Sequence, residues 1–155
     1  MGIGGQLVTI VVDVANVMGS RPDGWWRDRA GAAVRLHADI ARLAASRRAI
    51  LPDEPGEAGE SGQAGTERAD APGFVMVLEG AAKAAAARLA PPGPDAGEVR
   101  VVQAAGSGDD AIVAVVRQLP GRRVVVTADR GLRERCVAVG AEIRGPGWLL
   151  GLIAG

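Results

Sequence analysis

Carboxylic acids follow four apolar segments of the sequence, each with the composition of a buried strand. Asp13 ends the run VTIVV, Glu79 ends FVMVL, and Asp129 follows VVVTA. The fourth segment, EVRVVQA, leads through the short stretch AGSG into Asp109. If these strands are parallel, their carboxyl ends lie at one edge of a sheet, where ligands of such sheets bind. The spacing therefore predicts that the four acids meet at one site.

Several carboxylates at one edge repel each other and so predict a bound cation. Two like charges ~4 Å apart repel by roughly 1 kcal/mol in water and about 4 kcal/mol at an effective dielectric constant of 20. Hard oxygen ligands without sulfur favour Mg²⁺ or Mn²⁺ over zinc. Such an ion activates water and stabilises the leaving oxygen of a phosphodiester. The acids therefore indicate metal-assisted phosphate chemistry.

Each acid also has a structural explanation when it is taken alone. Ser107 to Asp110 fits the S-x-x-D capping pattern, and we assign Asp110 mainly to capping a helix. Asp129 stands where an N-cap is expected, and Glu79 suits a solvated strand end. Asp13 is harder to explain in this way, because a carboxylate that closes a buried strand needs a partner. The functional interpretation depends on all four acids occurring together.

The segments between these acids alternate between strands and helices. Continuous apolar strands alternating with helices are typical of an α/β fold with a parallel sheet covered on both faces. We predict strands at 6–12, 74–79, 98–104, 122–128 and 141–145, and helices at 25–48, 80–90, 107–119 and 129–140. Each predicted helix therefore lies between two strands, as a parallel sheet requires.

Composition limits the alternatives. The 155 residues include three Trp, one Phe, one His and one Cys, so the expected core is aliphatic and has no internal disulfide. A serine or cysteine triad requires a histidine, and His37, the only one, falls on the apolar stripe of the first long helix. No apolar run approaches the roughly 20 residues of a membrane helix, and the first residues do not resemble a secretory signal. We expect a cytoplasmic protein that makes no membrane contact.

Residues 52–73 differ from the rest of the chain in composition and charge. They are rich in Gly, Pro, Glu and Ala and contain six acids and one base, whereas the remaining chain has 12 acids and 17 bases. A segment without apolar periodicity cannot offset its ordering entropy, so we predict a flexible insertion loop within one domain. The mildly basic remainder, in which Lys83 is the only lysine, suits either a polyanionic partner or an ordinary solvated surface.

Three motifs, VVDVANV, SGDDAIV and VVVTADRGLRERCVAVGAEI, resemble in order the signature regions of the PIN-like nucleases, particularly their NYN branch. The resemblance covers the chain except the 52–73 loop. It implies a single PIN-like/NYN domain over residues 1–155. It also implies a three-layer α/β/α sandwich with a mostly parallel five-stranded sheet in the order 3-2-1-4-5.

The resemblance also implies which acids do the chemistry. Asp13, Asp109 and Asp129 match the metal ligands of that family, which hold Mg²⁺ or Mn²⁺. Glu79 would be an auxiliary catalytic acid, although the family pattern more often has Asp at the end of the second strand. The implied activity is hydrolysis of RNA, either single-stranded or structured.

Five further residues are expected to bind or position the substrate. The resemblance assigns Asn16 and Thr127 to positioning, and Arg130 directly follows the last acid of the pattern. Trp26 and Arg27 lie in an aromatic and basic stretch behind the first strand, where they would stack bases and hold phosphates. The structural alternative is that a Trp at this place covers the joint between helix and sheet.

The leading hypothesis is a metal-dependent ribonuclease. The alternatives are a non-catalytic module that binds nucleic acid or nucleotides, and a phosphohydrolase acting on free nucleotides. A signalling receiver domain also clusters acids at strand ends, but it needs a lysine after its last strands, and Lys83 lies elsewhere. The sequence leaves the oligomeric state open, with a homodimer as one alternative.

Overall fold

A sheet of five parallel strands forms the centre of the computed structural model, in the order β3-β2-β1-β4-β5. The structure describes residues 7–46, 72–89 and 99–155. The strands are β1 Val8–Asp13, β2 Gly73–Leu78, β3 Val99–Gln103, β4 Arg122–Val126 and β5 Glu142–Arg144. The predicted α/β class and strand order are confirmed.

Helices cover both faces of this sheet. In the described ranges they are α1 Val14–Gly19, α2 Arg29–Ala45, α3 Gly108–Gln118, α4 Arg130–Ala138 and α5 Pro146–Ala154, with 3₁₀ segments at Trp25–Arg27 and Gly80–Arg88. Ile10 and Val12 of β1 pack on the face that carries α1, α2 and α5, whereas Val11 packs on the face that carries α3 and α4. Both faces of the central strand are therefore buried, which confirms the three-layer arrangement.

Two helical predictions need correction, and two helices were missed. The first long helix was predicted from Trp25, but α2 begins at Arg29, because the Asp28 carboxylate accepts a hydrogen bond from Gly31 N at 2.9 Å and caps the helix there. The predicted helix at 80–90 is a 3₁₀ segment over Gly80–Arg88. Helices α1 and α5 were not predicted.

The predicted 52–73 insertion falls almost entirely outside the described residues. Pro72 and Gly73 are described, and there the prediction is wrong, because Pro72 is buried and Gly73 is the first residue of β2. Within the described part of the chain, no helix combines the length and the apolar character needed to cross a membrane.

Candidate functional site

Asp13 is the innermost acid of the site, and its position follows from the end of β1. It is the last residue of β1 and also the N-cap of α1, where its Oδ1 accepts a hydrogen bond from Asn16 N at 3.3 Å. Its Oδ2 accepts a hydrogen bond from Thr127 Oγ1 at 2.9 Å. Asp13 is only 9% exposed, and this burial raises the pKa of its carboxyl group in spite of the two hydrogen bonds.

The stretch that follows β4 is fixed against the end of β1. The buried Thr127 Oγ1 also accepts a hydrogen bond from Asp129 N at 3.1 Å. Asn16 Oδ1 accepts one from Ala128 N at 2.8 Å. Asp129 is the N-cap of α4, and its Oδ1 accepts from Leu132 N at 2.9 Å. Asn16 and Thr127 therefore connect the first and fourth strands at their carboxyl ends.

Glu79 and Asp109 complete the same edge from the other direction. Glu79 follows β2 directly, and its Oε1 accepts a hydrogen bond from the backbone N–H of Gly108, the first residue of α3. Asp109 is the next residue and is half-buried. Its pKa is raised by burial first, and then by the neighbouring carboxylates of Asp129 and Glu79. Asp109 therefore experiences the negative charge of two other acids at this edge.

Asp110 differs from its neighbour in its contacts. The cap of α3 is the side chain of Ser107, which accepts a hydrogen bond from Asp110 N at 3.1 Å. The Asp110 carboxylate instead points to Arg135 of α4, at 3.0 Å, in an exposed ion pair. The prediction that Asp110 mainly caps the helix is therefore wrong for its side chain, although its backbone N–H is the capped group.

We name the carboxylates of Asp13, Glu79, Asp109 and Asp129 the acidic edge. Among the residues that the structure describes, no group of three or more Asp, Glu, His or Cys side chains is arranged so that it could hold a metal ion by itself. Mg²⁺ is commonly held by one or two carboxylates together with waters and substrate phosphates. The donor chemistry of the acidic edge, with oxygen atoms alone and mutually repelling charges, fits that mode rather than a closed protein cage.

Three of the predicted substrate-binding residues, Trp26, Arg27 and Arg130, are exposed, whereas Thr127 is buried. Trp26 is 55% exposed, and the Arg27 guanidinium carbon lies 5.8 Å from the centre of the Trp26 ring. Arg130 is exposed and is the first residue of α4, directly behind Asp129. These three side chains are therefore accessible to solvent.

A cleft of about 310 Å³ adjoins the acidic edge and is lined by Glu79 together with Trp25 and Arg29. From the sequence, Trp25 and Arg29 were grouped with Trp26 and Arg27 in one aromatic and basic stretch, and only Trp26 and Arg27 were kept as substrate-binding residues. Asp28 is the residue from which this arrangement could have been predicted. An N-cap at that position places both Trp residues before the helix and makes Arg29 its first residue.

Burial limits the reactivity of both Cys136 and His37. Cys136 is fully buried in α4, and burial raises the pKa of its thiol to about 11, so the nucleophilic thiolate is scarce at neutral pH. His37 lies half-buried in α2, where burial lowers the pKa of its imidazole. The carboxylates of the acidic edge therefore remain the predicted catalytic groups.

The chain is thus an α/β/α protein whose parallel sheet has the order 3-2-1-4-5. Among solved structures it is similar to a mutant form of Rae1 (YacP) from Bacillus subtilis, with a TM-score of 0.55. The similarity covers 94% of this chain and 74% of that chain at 14% sequence identity, so it shows a shared fold. No protein-family model matches the sequence, and no curated protein matches it either.

Proposed function

We propose that this protein is a divalent-metal-dependent ribonuclease that hydrolyses RNA phosphodiester bonds at the acidic edge. The observation that carries the proposal is electrostatic. Burial raises the pKa of both Asp13 and Asp109, and the charges of other carboxylates at the edge raise it further. A protein gains nothing in stability from such repulsion, whereas a bound cation relieves it.

In this proposal, Asp13, Asp109 and Asp129 would hold Mg²⁺ or Mn²⁺. A bound ion of this kind lowers the pKa of a water molecule and stabilises charge on phosphate oxygens. Thr127 keeps the Asp13 carboxylate oriented through its hydroxyl proton. Asn16 keeps the segment after β4 in place through Ala128 N.

The remaining residues have distinct roles. Glu79 is the auxiliary acid, and its hydrogen bond to Gly108 N connects its orientation to the start of α3. Trp26, Arg27 and Arg130 contact the RNA on the exposed surface, where guanidinium groups suit phosphate geometry and the indole ring suits base stacking. The expected substrate is single-stranded or structured RNA.

The test is a ribonuclease assay on single-stranded and structured RNAs, with Mn²⁺, Mg²⁺ and EDTA arms. We expect cleavage with either ion and none with EDTA. One observation favours a second candidate, a module that binds nucleic acid without cleaving it, because the described residues hold no preformed group of three metal-binding side chains. Binding of RNA without cleavage in any arm would favour that module, and hydrolysis of free nucleotides alone would favour a nucleotide phosphohydrolase.

Replacing Gly108 by alanine should impair hydrolysis while leaving the fold intact. The new Cβ would overlap Glu79 Oε1 and stand 2.7 Å from Glu79 Cδ, so the flexible carboxylate has to move away. A displacement of about 1 Å in a catalytic arrangement costs roughly 10²-fold in rate. The measurement is the cleavage rate beside a thermal melt.

Gly147→Ala is the matched control, because a Cβ at that position in α5 meets nothing within 4 Å. It should retain the wild-type rate. Wild-type cleavage by Gly108→Ala would show that hydrolysis does not depend on where Glu79 lies.

Arg130→Ala should weaken RNA binding in a manner that depends on salt. Each phosphate contact that is lost lowers the slope of log affinity against log salt concentration by roughly 1. Arg117→Ala is the control, since Arg117 is exposed in the last turn of α3, at the far end of that helix from the acidic edge. Equal salt slopes for wild type and Arg130→Ala would exclude a phosphate contact at Arg130.

A further inference from the structure

The cleft beside the acidic edge combines an apolar lining with one aromatic wall. Ala15, Met18 and Ala82 contribute apolar surface, Trp25 and Arg29 form a wall, and Glu79 belongs both to the cleft and to the acidic edge. Its volume of about 310 Å³ lies at the lower end of the roughly 300–1,000 Å³ found for small-molecule sites. The cleft is therefore suited to a small planar group.

The aromatic wall is held in place before any ligand arrives. The 3₁₀ segment that carries Trp25 begins after Gly24, whose φ of 77° directs the chain into it. The Arg29 guanidinium carbon lies 5.2 Å from the centre of the Trp25 ring, within the range of a cation–π contact. The Trp26 ring meets Trp25 edge-on, at 6.0 Å and 90°. Trp25 and Arg29 thus form a cation–π pair, which we call the Trp25–Arg29 wall.

We infer that this cleft is a nucleobase subsite, in which one base of the RNA stacks on the Trp25–Arg29 wall. The inference rests on the proposed function, since Glu79 connects the cleft to the acidic edge where the scissile phosphate would lie. Proteins that read single-stranded RNA stack its bases on aromatic rings and guanidinium planes. A base that enters the cleft holds the backbone beside it next to the acidic edge.

The charge of the lining favours a base over an isolated phosphate. Arg29 contributes one positive charge and Glu79 one negative charge, and the other lining residues are uncharged. A doubly charged phosphate would lie near a carboxylate without a second cation to offset it. A nucleobase is neutral, planar and apolar on its faces, and the N–H groups at its rim can donate hydrogen bonds to a carboxylate. The cleft matches those properties.

The test compares the affinity of the protein for two RNA hexamers in EDTA, one with all its bases and one in which every base is replaced by an abasic ribose. Stacking contributes roughly 1–3 kcal/mol per base, which is about 5- to 150-fold in affinity. Trp25→Ala should lower the affinity for the base-bearing hexamer by a factor in this range. It should leave the affinity for the abasic hexamer unchanged. Trp25→Phe retains an aromatic face and should recover most of the preference.

Trp148→Ala is the matched control, because it removes a similar pair elsewhere. Trp148 of α5 is also partly buried against the core, and the Arg144 guanidinium carbon lies 5.9 Å from the centre of its ring. The Trp148→Ala protein should prefer the base-bearing hexamer as strongly as the wild-type protein does. Thermal melts of all variants separate loss of binding from loss of folding. If Trp25→Ala does not fold, Arg29→Ala replaces it, because it removes the exposed member of the wall and should also lower the preference for bases, and an unchanged preference would overturn the subsite.

The subsite is overturned if Trp25→Ala weakens both hexamers equally or neither, or if wild type shows no preference for bases. Because binding is measured without metal, the outcome is independent of cleavage. If the preference for bases depends on Trp25 but the protein cleaves no RNA, the proposed subsite stands and the proposed ribonuclease activity is excluded. If the protein cleaves RNA but both Trp25→Ala and Trp25→Phe keep the preference for bases, the proposed ribonuclease activity stands and the proposed subsite is excluded.

Discussion

Asp13→Asn should lower the rate of RNA hydrolysis by about 10³-fold or more. It should leave the fold as stable as that of the wild-type protein or slightly more stable. The loss follows because a bound metal ion contributes several kcal/mol to transition-state stabilisation, and 1.36 kcal/mol corresponds to tenfold in rate. The stability follows from the raised pKa of Asp13. A carboxylate whose pKa is higher in the folded state destabilises the fold once it is charged, so the neutral amide removes that cost at neutral pH.

Asn at position 13 can keep both hydrogen bonds of the native side chain. Its carbonyl oxygen can accept from Asn16 N, and its amide can donate to Thr127 Oγ1, which accepts as well as donates. Asp110→Asn is the control, because Asp110 is exposed and its carboxylate pairs with Arg135. That variant should cleave RNA at close to the wild-type rate.

The measurement is single-turnover cleavage with Mn²⁺ beside a thermal melt in EDTA. A strong drop in the melting temperature of metal-free Asp13→Asn would mean that the charged carboxylate stabilises the fold. Asp13 would then be a structural acid, and its place at the end of β1 would not indicate a metal ligand.

Mn²⁺ should raise the melting temperature of the wild-type protein, and EDTA should reverse the effect. An ion that binds only the folded state stabilises it by about 2.7 kcal/mol at 100 times its dissociation constant. For a chain of this length that corresponds to roughly 5–10 °C. The ion also relieves the repulsion that raises the pKa of Asp109 beside Asp129 and Glu79.

The titration should be repeated on Asp13→Asn, Asp129→Asn and Asp110→Asn. The first two should lose most of the shift, whereas Asp110→Asn should keep it, because its carboxylate points to Arg135. The same loss in all three variants would indicate diffuse attraction of the cation to negative charge. No shift in wild type, together with no cleavage, would leave the binding module as the better explanation.

The parallel sheet and the edge that carries the acids could both be predicted from the pattern of the sequence, for a common physical reason, whereas the strand order was implied by the resemblance to the PIN-like nucleases. Strands buried on both faces read as continuous apolar runs, as in β1 and β2, and the helices between them require parallel pairing. Parallel pairing in turn puts the ends of all strands at one edge. Asp13, Glu79 and Asp129 therefore followed from the strand ends alone.

The aromatic wall and the short helices could not be predicted in this way. Helix α1 has six residues, too few for apolar periodicity, and it begins directly on the last residue of β1, which caps it. Trp25 and Arg29 are brought together by a 3₁₀ segment and the start of a helix. Apolar residues there follow neither the 3.6-residue repeat of a helix nor the two-residue repeat of a strand. Only tertiary contacts decide which of two adjacent Trp side chains meets the core.

The hydrogen bond from Thr127 to Asp13 joins residues that are 114 positions apart. Synthesis proceeds at about 5–20 residues per second, and a contact between two residues cannot form before the second of them has been added. The nascent chain cannot assemble the acidic edge before β4 and Asp129 have emerged, so every shorter fragment lacks a complete site. If the proposed hydrolysis of RNA takes place at this edge, a nascent chain has no complete site until Asp129 has been added.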